Sequence, residues 1–101
     1  MTAYMIVHAT ITDRDKFISG YAPAAAQLVE KFGGRYVLRA AGSTVLEGDL
    51  DENSSVVISE WPDTDTALRF WNSTEYAEVK KLREGCADCR VTVIEAPPIT
   101  A

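Results

Sequence analysis

Tyr4-Met5-Ile6-Val7-His8-Ala9-Thr10-Ile11, followed at once by Thr12-Asp13-Arg14-Asp15, decides how the rest of the chain is read. Alternate side chains of an extended segment point to opposite faces. Here Met5, Val7, Ala9 and Ile11 form an unbroken apolar set, whereas Tyr4, Ile6, His8 and Thr10 form a mixed one. The stretch therefore predicts a strand whose apolar side meets helices. Thr12 and Asp13 then supply helix-capping oxygens, with Asp15 three residues past Thr12 and acids where the helix dipole favours them.

The helix that follows has a buried stripe of Phe17, Tyr21, Ala25, Leu28 and Phe32 and closes at Gly33-Gly34. Pro23 lacks an N–H and its ring crowds the preceding turn, so the helix should kink or restart there, close to Gly20. Residues 35–40 read as a second strand, with Tyr36, Leu38 and Ala40 on one side and Arg35, Val37 and Arg39 on the other. Gly42-Ser43 suggests a bulge or turn, Val45-Leu46-Glu47 a short extended piece, and residues 49–54 an acidic loop. Residues 55–61 form a third strand stopped by Pro62, with Val56, Ile58 and Glu60 opposite in parity to Val57, Ser59 and Trp61. Asp63 or Thr64 caps a second helix in two pieces, 66–71 and 74–84, divided by Asn72-Ser73-Thr74 and ended by Gly85. Residues 89–95 are the last strand, and Pro97-Pro98 starts an extended tail.

Strand, helix, strand, strand, helix, strand is the order of a ferredoxin-like α+β unit: a four-stranded antiparallel sheet with both helices on one face. A single domain over residues 1–96 with a tail at 97–101 accounts for all 101 residues. The other face stays open. Ile6, Val37, Val56 and Ile58 on it make an apolar patch that predicts a homodimer through the open sheet faces.

Composition narrows the function classes. Hydrophobic residues at 47% and charged residues at 25% describe a globular domain, and a net charge of −5 without a basic run opposes nucleic-acid and anionic-membrane partners. The third strand also lacks the aromatic and glycine pattern of an RNA-recognition sheet. The first residues carry no basic leader and their apolar run is too short for a membrane span, so a cytoplasmic location is expected. Cys86-Ala87-Asp88-Cys89 has redox and zinc spacing, but Cys86 follows a helix C-terminus, where the dipole raises a thiol pKa. A zinc site needs more ligands than two cysteines and one distant histidine provide. With phosphate-binding glycine loops and serine elbows absent as well, no cofactor and no metal are expected.

Ala3-Tyr4, Thr12-Asp13, Gly33-Gly34-Arg35-Tyr36, Arg39, Val45-Leu46-Glu47-Gly48, Val57-Ile58 with Glu60-Trp61-Pro62, Trp71-Asn72-Ser73-Thr74-Glu75-Tyr76 and Leu82-Arg83 form a set. Over nearly the whole chain this set resembles the family of a domain of unknown function numbered thirteen-thirty. The resemblance implies a ferredoxin-like fold that dimerises face to face into an α/β barrel, and no established reaction. Arg14 and Thr74 stand where proline is common in that family, and Thr10 where an acid is often found; threonine cannot replace an acid as proton acceptor. Cofactor-free monooxygenases, muconolactone-type isomerases and haem-handling proteins share the barrel assembly, which is an analogy of fold alone.

Side-chain parity assigns His8, Arg39 and Glu60 to the open face. Arg39 is the candidate anchor for an anionic ligand, and His8 and Glu60 are the candidate catalytic groups that would move a proton. Tyr21, Trp71 and Tyr76 are candidate ligand-binding aromatics, although such helical spacing more often marks a core or interface. Glu47, beside Gly48, has a structural reading, as a cap or paired with Arg35 or Arg83. The expected function is binding of a small organic ligand, carboxylated or aromatic, in a cavity at the open sheet face. That fits a cofactor-independent isomerase, lyase or oxygenase, or else a non-catalytic dimeric ligand-binding or accessory protein.

Overall fold

Four antiparallel strands lie in the order β2-β3-β1-β4 in the computed structural model, which describes residues 2–97 and 99. In chain order the elements are β1 (Thr2–Ile11), α1 (Arg14–Lys16), a π turn (Phe17–Tyr21), α2 (Ala22–Lys31), β2 (Arg35–Ala40) and β3 (Ser55–Trp61). Next come α3 (Thr64–Trp71), α4 (Thr74–Lys80), a 3₁₀ turn (Lys81–Arg83) and β4 (Ala87–Ala96). This is the α+β order expected from the sequence. The expected extended piece at residues 45–47 forms no strand. Of the expected tail, residues 98, 100 and 101 lie outside the described residues.

Pro23 has the predicted effect and gives it a particular form. It sits in the first turn of α2, and just before it the helix widens so that the Ala22 N–H reaches the Phe17 carbonyl. The wider turn relieves the crowding that proline imposes on the carbonyl four residues earlier and dispenses with the N–H it lacks. Phe17 and Tyr21 bracket that turn with ring centroids 5.1 Å apart. The later break is built by Ser73: its Oγ accepts from the Tyr76 N–H at 3.0 Å and donates to the Phe70 carbonyl at 2.7 Å, closing α3 and starting α4 together. Asp63 caps α3 by accepting from the Thr66 N–H at 2.7 Å.

The core lies between the sheet and the helices, around Met5, Val29, Trp61, Phe70 and Tyr76. Phe70 touches three other rings: Tyr76 at 4.6 Å, Trp61 at 5.1 Å and Phe32 at 6.1 Å between centroids. Trp61 is 1% exposed, and its indole N–H donates to Ser59 Oγ at 2.9 Å, so the one polar atom of the ring is satisfied where water cannot reach. A Cβ on Gly34 would lie 2.7 Å from that indole, which is why glycine opens β2 beneath it.

Strict alternation fails in β2. Arg35 faces Glu60 and Tyr36 faces Ser59, but the next pairs are Leu38 with Ile58, Arg39 with Val57 and Ala40 with Val56. Val37 is the extra residue of a β-bulge, and one inserted residue reverses the parity of everything after it. Ser59 and Val57 point toward the helices, so Tyr36 and Arg39 do too, whereas Leu38 opposes Ile58 on the open face. The assignment of Arg39 to the open face is thereby corrected. Gly42-Ser43, read as a bulge or turn, lies where the chain leaves β2 and folds back, and the bulge at Val37 is an additional one.

With helices on one side only, the molecule is a slab of 39 × 38 × 16 Å. Tyr4, Ile6, Leu38, Val56, Ile58 and Ile94 are the apolar side chains of its open face, and Leu38 and Ile94 are 44% and 50% exposed. The loop between β2 and β3 folds back on itself through Ser43 N–H to the Glu52 carbonyl at 3.0 Å. Among the described residues no helix is long and apolar enough to cross a membrane.

Candidate functional site

Met5, Val7, Ala9 and Ile11 turn their side chains toward the helices as the alternation of β1 requires, but the helices do not close completely on them. A cavity of about 130 Å³ remains, walled by these residues, by Phe17, Tyr21, Ala25 and Val29 from the first helical run, and by Phe70, Trp71 and Tyr76 from the second. Its size is close to that of a dry apolar cavity of about 150 Å³ that takes up benzene. One ring is the scale of molecule it admits.

The polar side chains of this cavity are three tyrosines, two arginines, Cys89 and the serines Ser55 and Ser59. Tyr21 and Tyr76 join their hydroxyls at 2.7 Å. Burial, reinforced by Tyr76, pushes the Tyr21 phenol well above the ordinary tyrosine range, so it is neutral and a hydrogen-bond donor at any physiological pH. Burial raises Tyr36 in the same direction, opposed by Arg39. The Arg39 guanidinium lies 5.5 Å from the Tyr36 ring centroid, with the residue itself exposed. The Arg83 guanidinium lies 5.7 Å from the Tyr21 centroid, and its Nε is buried without a hydrogen-bond partner among the described residues. Burial works against the charge of Arg83, but the neighbouring Tyr76, Cys89 and Tyr21 outweigh it and its pKa is raised. The Cys89 thiol, also at the cavity, is pushed up by burial, which disfavours its thiolate, against the opposing influence of Arg83.

Two guanidiniums thus share a cavity whose lining, among the described residues, contains no aspartate, glutamate or histidine. The arrangement can hold an anion, stack a ring and donate hydrogen bonds. Among the described residues it has no carboxylate or imidazole with which to abstract a proton at pH 7.

The four ligand-binding candidates, Arg39, Tyr21, Trp71 and Tyr76, come together here, on the helix side of the sheet. The two catalytic candidates do not join them. His8 stands on the open face opposite Val56 and Arg90, exposed, in a second and larger pocket of about 650 Å³ that it lines with Thr10, Glu47, Asp88 and the β2–β3 loop. Glu60 stands opposite Tyr4, roughly 13 Å along the strand from His8. It accepts from Arg35 Nη2 at 3.1 Å and Nε at 3.2 Å. The expected convergence of His8, Arg39 and Glu60 is therefore overturned, by the bulge for Arg39 and by register for the other two. Of the partners considered for Glu47, Arg35 pairs with Glu60 instead, and Arg83 forms no ion pair among the described residues. Among the described residues no three histidine, cysteine or acidic side chains cluster to hold a metal ion.

Arg83 and Cys89 belong to the cavity without having been assigned to it from the sequence. For Arg83 a signal exists: it follows Tyr76 by seven residues, two helical turns, which places both on one face of a continuing helical run.

The chain belongs to the family described as a domain of unknown function (DUF1330), whose family model matches residues 2–97. Among proteins of curated function none matches the sequence. Among solved structures, a protein of unknown function from Rhodopseudomonas palustris (RPA0582) aligns with TM-score 0.78 and 19% identity over 97% of this chain and 84% of its own. SnoaB, a cofactor-independent oxygenase from Streptomyces nogalater, aligns with TM-score 0.69 and 18% identity over 97% and 95%. A de novo designed protein, Foldit4, aligns with TM-score 0.62 and 12% identity over 96% and 100%. At these identities the shared property is the ferredoxin-like fold.

Proposed function

We propose that this DUF1330 member binds a small ring-bearing organic anion in the helix-side cavity of each subunit. The observation that carries the reading is the cavity's charge balance. In a chain where acids outnumber Lys and Arg by 15 to 10, its lining, among the described residues, holds Arg39 and Arg83 and no carboxylate. Cations beside a cavity without counter-charges favour an anionic guest, and Phe17, Trp71 and Val29 supply apolar wall for a ring. The open sheet face supports self-association into a homodimer, which would leave one cavity in each subunit.

An enzyme of the cofactor-independent isomerase, lyase or oxygenase type is the second reading. The Tyr21–Tyr76 pair favours it, since phenol and guanidinium donors that stabilise a bound anion also stabilise one that develops in a reaction. The likeness to the oxygenase SnoaB adds only fold-level support, because a designed protein shares that fold. With no base among the described lining residues, the substrate of such an enzyme would enter already ionised.

Titration of ¹⁵N-labelled protein with benzoate tests the binding reading. Saturable shifts at Tyr21, Trp71 and Tyr76 are expected. Absence of shifts, or shifts confined to His8, Arg90 and their neighbours on the open face, would reject it.

A further inference from the structure

Within the binding reading just given, on which this inference rests, the two arginines are not equivalent. Arg39 is exposed, with its guanidinium over the Tyr36 ring, so water already screens its charge and solvates its donors. Arg83 stands where the helical run ends. The chain leaves α4 through the 3₁₀ turn, and Gly85 at φ 77° then turns it down toward β4. That path lays the Arg83 side chain across the Tyr21 ring, with Tyr76 and Cys89 beside it. Its Nε–H is sealed from solvent and donates to nothing among the described residues, and it takes part in no ion pair among them. A buried donor without an acceptor is costly and uncommon in native proteins, so this one calls for a partner.

The tyrosine pair contributes a second such donor. Two hydroxyls bring two protons, and their mutual bond of 2.7 Å uses one. The other is free to point at a guest. Two donors, one of them cationic, over a wall of rings describe a receptor for two anionic oxygens on a planar substituent.

We propose that Arg83 is the charge-reading residue of the cavity, and that the ligand class is a small aromatic carboxylate. One carboxylate oxygen accepts from the Arg83 guanidinium, which lines the cavity beside Tyr76 and Cys89, and the other from the free hydroxyl of the Tyr21–Tyr76 pair, while the ring lies against Phe17 and Trp71. Arg39 contributes to neither bond.

Benzoate and benzamide are the probes, because they differ in charge and hardly in shape. Wild-type protein is expected to bind benzoate about tenfold or more tightly than benzamide by calorimetry. Arg83→Gln should bring the two affinities to within about twofold of each other while leaving that for benzamide nearly unchanged, and Lys81→Gln, outside the cavity lining, should keep the wild-type ratio. A second readout needs no variant: the Arg83 guanidinium N–H resonances should move downfield and exchange more slowly as benzoate is added, and stay put with benzamide. A benzoate preference that survives Arg83→Gln in a folded protein, or Arg83 guanidinium N–H resonances indifferent to benzoate, would overturn the assignment while leaving the binding reading intact. Failure of both probes to bind wild-type protein would overturn the binding reading and this inference with it.

Discussion

The Tyr21 and Tyr76 hydroxyls meet at 2.7 Å across 55 residues of sequence and constitute the polar contact between the π turn and α4 over the cavity. Each phenol is placed by a local break in helix geometry. The π turn forced by Pro23 delivers Tyr21, and the Ser73 cap delivers Tyr76. The contact is thus where two irregularities of the sequence, one in each helical run, become a property of the site.

This contact makes stability depend on alkaline pH. Tyr21 has a folded pKa raised above the value near 10 that it takes in the unfolded chain, so its contribution is fully present below pH 10 and is lost as pH rises beyond it. Over that range the loss should run at about 1.4 kcal/mol per pH unit for this one group, with Tyr36 adding in the same direction. Tyr21→Phe should cost about 1 kcal/mol at pH 7, from the lost hydrogen bond, and remove that share of the slope above pH 10. Urea unfolding from pH 8 to 11 measures both. Parallel curves for wild type and Tyr21→Phe would refute the account.

Two glycines of similar appearance should respond oppositely to alanine. Gly34→Ala drives a methyl to within 2.7 Å of the Trp61 ring, which is 1% exposed and cannot retreat, so a loss of roughly 1–3 kcal/mol is expected. Gly20 lies in the π turn, where a methyl in place of its hydrogen would meet nothing within 4 Å, and Gly20→Ala should be neutral or stabilising by about 0.5 kcal/mol. Denaturant midpoints decide. Equal effects would show that Trp61 moves more freely than its packing indicates.

Ser59→Ala tests the same indole from its polar side. The mutation leaves the Trp61 N–H without its partner at 2.9 Å in a place closed to water, for an expected cost of roughly 1–3 kcal/mol. A loss under about 0.5 kcal/mol, against the usual cost of an orphaned buried donor, would mean that water enters beside Ser59.

How far the sequence carries the reader depends on the range of the force involved. Pro23, Asp63, Ser73 and Gly85 act within a turn of the chain, and each interruption they predict is found. The sides of β1 and β3 follow from period-two alternation and are likewise found. Val37 defeats the same rule, because nothing in Arg35-Tyr36-Val37-Leu38-Arg39 marks which residue loses its partner on β3; a bulge is a property of the pair of strands. Arg39 changed faces for that reason. His8 and Glu60 share the open face, as alternation requires, but their distance along it is set by register, which a single strand's pattern does not encode. The cavity itself escaped because it is a deficiency of packing, and a stripe of Tyr21, Trp71 and Tyr76 looks the same whether or not it closes on the sheet.

Self-association through the open face yields the remaining prediction. Ile58 stands between Ile6 on β1 and Leu38 on β2, at the centre of a patch that also includes Tyr4, Val56 and Ile94. In a single copy its side chain faces solvent, so a carboxylate there costs the subunit little. Between two apposed sheets the same carboxylate would be buried without a partner, at a cost of several kcal/mol. Wild-type protein should therefore show about twice the chain mass of 11.1 kDa in light scattering at micromolar concentration. Ile58→Glu should show the chain mass, with its far-ultraviolet circular dichroism retained and its melting temperature lowered by loss of the partner. Glu60 sharpens the comparison: it lies on the same face but is already paired with Arg35, so Glu60→Gln should leave the mass doubled. A monomeric wild-type protein, or an Ile58→Glu variant of unchanged mass and melting temperature, would remove the open face from consideration as the interface.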